Sequence, residues 1–116
     1  MLDINTIKNY VLKNGGLTLN SHGLKADLKS GFMASYEKSE KTLDLKDLSS
    51  EIIAGALKEA SKKRAFLGLW LNDNILYIDM SINIKDLSKA LEFARANKQL
   101  AIYDIKNEKS IYLKEN

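Results

Sequence analysis

The chain has 116 residues, 45% hydrophobic and 28% charged, with a net charge of +3. That balance fits one globular domain over 1–116 and excludes intrinsic disorder and collagen-like repeats. No Cys is present, which removes disulfides, thiolate zinc sites and cysteine nucleophiles. Apolar runs such as 66–71 fall far short of the roughly 20 residues a membrane-spanning helix needs, and no charged-then-apolar leader opens the chain. A cytoplasmic protein without a membrane partner is therefore expected.

Residues 3–14 carry Ile4, Ile7 and Val11 on one helical face, and Gly15-Gly16 can adopt the left-handed backbone that closes a helix. Leu17-Thr18-Leu19 and Leu24 flank Asn20-Ser21-His22-Gly23, a turn sequence. Residues 31–37 alternate Phe32, Ala34 and Tyr36 against Met33, Ser35 and Glu37, the period of a half-buried strand. The charged stretch 38–42 reads as a turn.

An internal repeat follows. Leu43-Asp44-Leu45-Lys46-Asp47-Leu48-Ser49 recurs as Ile82-Asn83-Ile84-Lys85-Asp86-Leu87-Ser88. Each copy leads into a helix, a strand, a polar turn and a second strand, giving α-β-β pseudo-repeats at about 43–80 and 82–113. In the first, Ile52, Ile53, Ala56, Leu57 and Ala60 stripe a helix over 50–64, capped by Ser49 or Ser50. Strands at 66–71 and 75–79 are joined by Asn72-Asp73-Asn74. In the second, Leu87, Ala90, Leu91 and Ala94 form the stripe, with Asp86 or Ser88 as cap, and strands at 100–105 and 110–113 follow. Such short connections enforce antiparallel pairing.

Two copies are too few for a solenoid. The expected fold is α+β: an antiparallel sheet with an N-terminal helix and two α-β-β pseudo-repeats packing their helices on it. Largely apolar strands predict a sheet buried on one face and partly covered on the other. Exposed edges need covering, and residues 110–113 suit pairing across subunits.

The charge does not point to nucleic acid. Sixteen of the 18 cations are Lys, scattered among acids, whereas a phosphate-tracking surface needs a clustered footprint. Arg64 and Arg95, the two Arg residues, suit a planar, bidentate role. Catalysis has little to work with. The sole imidazole, His22, lies in a turn, and no nucleophile-elbow pattern surrounds any Ser. Asp79 and Asp104 lie at equivalent positions near strand ends of the two copies and can serve as an acid–base or metal pair, or simply hydrogen-bond the adjacent turns. Carboxylates in metal-ligand spacing are missing. Asn14-Gly15-Gly16 follows a helix, where a phosphate loop follows a strand, and so reads as a helix stop. The two Lys-Asp-Leu-Ser helix starts expose amides suited to an anion, but their own Asp side chains compete for them. No cofactor or metal is expected.

Recognition of a flat ring is better supported. Trp70, Tyr77, Tyr103 and Tyr112 lie on repeat strands, and Phe32 and Tyr36 on the strand before them. Most such rings are core, yet one at a groove can stack a base for about 1–3 kcal/mol. The segment Phe93-Ala94-Arg95-Ala96-Asn97-Lys98-Gln99 unites an aromatic, a guanidinium and two amides. Asn97 and Gln99 match purine edges and ribose hydroxyls, and Arg95 can fork onto a phosphate. The plainer reading is a solvated helix end with Asn97 as its cap. On chemical grounds the ligand-binding candidates are Phe93, Arg95, Asn97, Gln99, Asp104 and Arg64.

Lys29-Ser30-Gly31-Phe32-Met33-Ala34-Ser35, Gly68-Leu69-Trp70-Leu71, Leu76-Tyr77-Ile78-Asp79-Met80-Ser81 and Ala96-Asn97-Lys98-Gln99-Leu100-Ala101-Ile102-Tyr103-Asp104 resemble a family of small proteins on phages and mobile elements of low-GC bacteria. Within it the chain is most similar to the Thoeris anti-defence proteins of the first type. The resemblance implies a non-enzymatic sponge that binds a cyclic ADP-ribose-type immune signalling nucleotide and removes it from solution in the cytoplasm of an infected bacterial host. It also implies a homo-oligomer of at least two chains, with pockets bordered by both. The alternative is a phage inhibitor that binds a host defence protein, such as a CRISPR nuclease, directly. DNA-mimicking inhibitors are acidic, and a charge of +3 argues against that form. A hydrolase of the same signal lacks His and Cys machinery, with the two Asp its best support.

Overall fold

The computed structural model describes residues 1–114. Helix α1 spans Ile4–Asn14. The Asp3 carboxylate accepts the Thr6 N–H at its start, and Gly15, at φ +82°, ends it by donating its N–H to Val11 O. Strands β1 (Gly16–Leu19), β2 (Phe32–Ser35) and β3 (Lys41–Asp44) follow, and a 3-10 turn at Leu45–Asp47 leads into α2 (Ser50–Lys62). Ser49 caps α2 by accepting the Ile52 N–H. The hairpin of β4 (Phe66–Asn72) and β5 (Ile75–Ile84) precedes α3 (Leu87–Ala96), which Asp86 caps by accepting the Lys89 N–H. Strands β6 (Ala101–Asp104) and β7 (Lys109–Tyr112) close the fold. Among the described residues, three α-helices and a seven-stranded antiparallel sheet make it α+β, with strand order β1-β4-β5-β2-β6-β7 and β3 paired on β5.

The contacts gather in two compact units, Met1–Ala26 with Glu40–Met80, and Asp27–Ser39 with Ser81–Asn116. In the first, α1 contributes Ile7 and Val11 to the core, and α2 contributes Ile53, Leu57 and Ala60. They join Leu17, Leu19, Leu67, Leu69, Leu76, Ile78 and Met80 from one face of the strands, all buried. Each fully buried Leu or Ile stabilises by about 1.5–3 kcal/mol relative to exposure. In the second unit, Ala34, Ala90, Ala94 and Ile102 form the core, with Phe32, Ile84, Leu91, Phe93, Ile111 and Leu113 packed around it. Alanines at the centre let α3 sit close to its strands.

The structure departs from the sequence reading where strand pairing overrides local pattern. Residues 80–84, read as the end of the first copy, the gap and the head of the second one, are the continuation of β5. Ser81, Ile82, Asn83 and Ile84 pair with Ser35, Ala34, Met33 and Phe32. Residues 41–44, expected as turn and repeat start, form β3, because Thr42 and Leu43 pair with Tyr77 and Leu76. Strand β2 stops at Ser35, short of Tyr36 and Glu37. Helix α2 ends at Lys62, and Arg64 takes a left-handed backbone at φ +54° beyond it. Strand β7 begins one residue early, at Lys109.

Candidate functional site

In the first unit the strands alternate, so every second residue turns away from the helices. Gly16 and Thr18 on β1, Phe66, Gly68 and Trp70 on β4, and Ile75, Tyr77 and Asp79 on β5 interleave with the buried positions and share the opposite face. Cross-strand register gathers them. Gly16 lies opposite Trp70 and Thr18 opposite Gly68, while Thr42 lies opposite Tyr77.

At the centre stand two rings. Trp70 and Tyr77 stack with centroids 4.2 Å apart and planes within 12°, and Trp70 remains 41% exposed. The floor beside them is held flat by glycine. A Cβ on Gly16 would sit 3.2 Å from Leu69 O and 3.5 Å from Trp70 Cβ. At Gly68 a Cβ would collide with the Asp79 carboxylate, which lies across this glycine. The face therefore offers an aromatic platform, half-buried backbone at Gly16, the Thr18 and Thr42 hydroxyls, and two carboxylates: Asp79, across Gly68, and Asp44, opposite Ile75, which accepts the Lys46 N–H. Its strand positions carry no Lys or Arg among the described residues, so it suits the ring and hydroxyls of a ligand more than its phosphates.

The residues expected at the end of α3 do come together, and mostly bond to the protein. Phe93 meets Tyr36 edge-on, centroids 5.2 Å apart. Asn97 is the C-cap; its Nδ2 donates to Phe93 O at 3.0 Å and its Oδ1 accepts the Glu37 N–H at 3.0 Å. The amide of Gln99 donates to Asn97 O at 3.0 Å. Lys98, left-handed at φ +56°, pairs with Glu37 at 3.3 Å. Arg95 is exposed in the last turn. Together they fasten residues 36–37 to the end of α3 and leave Arg95 as the outward-facing group of the set.

Asp104 and Arg64 serve elsewhere. Asp104 is 6% exposed and closes the β6–β7 turn, accepting from Asn107 Nδ2 at 2.8 Å and Asn107 N at 3.2 Å. The Asn107 side chain holds its carboxyl below the usual carboxylate range, helped by the Asn107 backbone N–H and by Lys109, against the opposing effect of burial. The expected equivalence of Asp79 and Asp104 fails in the hairpins: Asp79 lies within the second strand of its pair, Asp104 at the end of the first. Arg64 is exposed and precedes Phe66 at the start of β4. Phe66 and Trp70 are four residues apart, about 13 Å along a strand. His22 is exposed, its backbone N–H donated to Asn20 Oδ1.

No family model, curated protein or solved structure matches this chain. Sequence reasoning singled out Trp70 and Tyr77 but missed Gly16, Gly68, Thr18 and Thr42 as their companions. The available signal was the alternation of small or hydroxylated residues with Leu, as in Gly16-Leu17-Thr18-Leu19 and Leu67-Gly68-Leu69.

Proposed function

We propose that this chain is a non-enzymatic phage counter-defence protein that binds a cyclic ADP-ribose-type immune signalling nucleotide and sequesters it. The observation that carries the binding reading is the exposed Trp70–Tyr77 stack over a glycine-flattened sheet face. A nucleobase laid on Trp70 extends an existing stack, and base–aromatic stacking contributes about 1–3 kcal/mol. Thr18 and Thr42 supply hydroxyls that both donate and accept, matching ribose. The choice of a cyclic ADP-ribose-type signal rests on the sequence resemblance. Retention without chemistry fits a chain whose one imidazole lies in an exposed turn and which has no thiol.

The test is a binding-and-return assay. Purified protein is mixed with cyclic ADP-ribose isomers and cyclic oligonucleotides, washed and heat-denatured, and the released material is identified by mass spectrometry. An intact cyclic ADP-ribose-type nucleotide in stoichiometric amount, lost in Trp70→Ala, is the expected result. A chemically altered nucleotide overturns the non-enzymatic reading. Retention of none moves the function to a protein target.

A further inference from the structure

The two units treat their strand edges differently. In the first, the hairpin strand that carries Tyr77 is flanked: β3 pairs along β5 and forms the outer strand there, and on the other side Ala26 N donates to Thr18 O beside β1 at 2.9 Å. The second hairpin repeats the first, with Ile111-Tyr112-Leu113 standing where the first has Leu76-Tyr77-Ile78. Yet the strand order ends at β7, and among the described residues the place that β3 takes beside Tyr77 has no occupant beside Tyr112. Opposite Tyr112, within the hairpin, is Ala101, where the first unit has Trp70 stacked on Tyr77. Tyr112 is consequently 74% exposed, and neighbouring Leu100 is 76% exposed.

We propose that β7 pairs antiparallel with β7 of a second copy of this chain, on a two-fold axis through Ile111. The ladder phase selects the bonds. Leu113 N donates to Leu100 O at 2.9 Å, and bonding directions alternate along an antiparallel strand. Lys109, Ile111 and Leu113 therefore turn their backbone groups to β6, and Ser110 and Tyr112 turn theirs outward. A two-fold axis at Ile111 sets Ser110 of each copy opposite Tyr112 of the other, and the four outward groups on each strand become four mutual hydrogen bonds. The same register keeps lysines apart: Lys109 falls opposite Leu113, and Lys114 opposite Glu108. An open strand edge is a template for another strand, and a self-complementary strand closes as an isologous pair. The inference does not depend on the ligand.

The protein has no Cys, which gives a register-specific test. At Ile111 the two chains form a non-hydrogen-bonded pair with Cα atoms about 4.5 Å apart, within disulfide range. Ile111→Cys is expected to oxidise to a covalent dimer, and Lys109→Cys, facing Leu113, is not. Sedimentation of the unmodified full chain should give twice the 13.1 kDa chain mass. Ser110→Pro removes an outward N–H while sparing the bonds to β6, and Tyr112→Lys adds charge at an exposed position. Both should sediment as monomers with unchanged circular dichroism. A monomeric wild type, a dimer that survives Tyr112→Lys, or equal cross-linking at Lys109→Cys and Ile111→Cys overturns the proposal.

Discussion

Replacing Asn97 with Ala tests whether the end of α3 belongs to the fold or to a ligand. The substitution removes the acceptor of the Glu37 N–H and the donor to Phe93 O. Phe93 O keeps the Asn97 N–H, at 3.0 Å, so its loss is small. The Glu37 N–H is part-buried and loses its side-chain acceptor, which costs about 1–3 kcal/mol, against about 0.5–1.5 kcal/mol for an ordinary net hydrogen bond. A loss of about 2 kcal/mol is expected, lowering Tm by about 8 °C for a chain of this size. Asn97→Asp separates the two bonds. It keeps the acceptor for Glu37 and gives up the donor, with a negative charge at a helix C-terminus adding about 0.3–1 kcal/mol, so its loss should be about half as large. Urea denaturation with unchanged slope measures both. A wild-type midpoint for Asn97→Ala, combined with lost nucleotide retention, would refute the structural assignment and return Asn97 to a binding role.

Trp70→Ala should weaken nucleotide binding by about 5- to 150-fold, the equivalent of about 1–3 kcal/mol of stacking. Trp70 is the single Trp, so fluorescence quenching in the unmodified protein reports ligand on the same ring. Gly68→Ala forces a methyl into the Asp79 carboxylate and should destabilise by about 1–3 kcal/mol, read from its urea midpoint. Because Asp104 titrates lower in the folded protein than in the unfolded chain, its contribution is present above about pH 4 and is lost as pH falls through the folded value. Asp104→Asn should therefore be less stable than wild type at neutral pH, and the gap should narrow as pH falls below the ordinary carboxylate range and through the folded value. A gap that persists in acid would refute the carboxylate–Asn107 account.

All three helices, the Gly15 stop and the Ser49 and Asp86 caps were legible because their causes are local; Asp3, read as the first helical residue, is instead the cap of α1. Asp3, Ser49 and Asp86 stand within three residues of the N–H groups they accept, and the apolar stripes follow the 3.6-residue period. The hairpins were legible for the same reason, through short polar turns between apolar runs. What stayed hidden was decided by pairing between distant segments. Nothing near residues 41–44 says that they will be a strand; Tyr77 and Leu76 across the sheet make them one. The end of β5 likewise depends on β2, about fifty residues earlier in the chain.

The candidate site divides along the same line. The chemistry of Asn97 and Gln99 was readable, but their committed hydrogen bonds were not, since the Glu37 N–H comes from 60 positions away. Trp70 and Tyr77 were readable as strand aromatics, but Gly68 was not read as their neighbour. Only the register, Gly16 against Trp70 and Thr42 against Tyr77, made them one surface. The sequence by itself determined the helices, two of their N-caps, the hairpins and the α+β class, because those follow from spacing and nearest-neighbour hydrogen bonds. The tertiary structure decided which strands are neighbours, which strands lie outermost and which aromatics share a floor, because backbone groups in a sheet are satisfied by partners that local sequence does not specify.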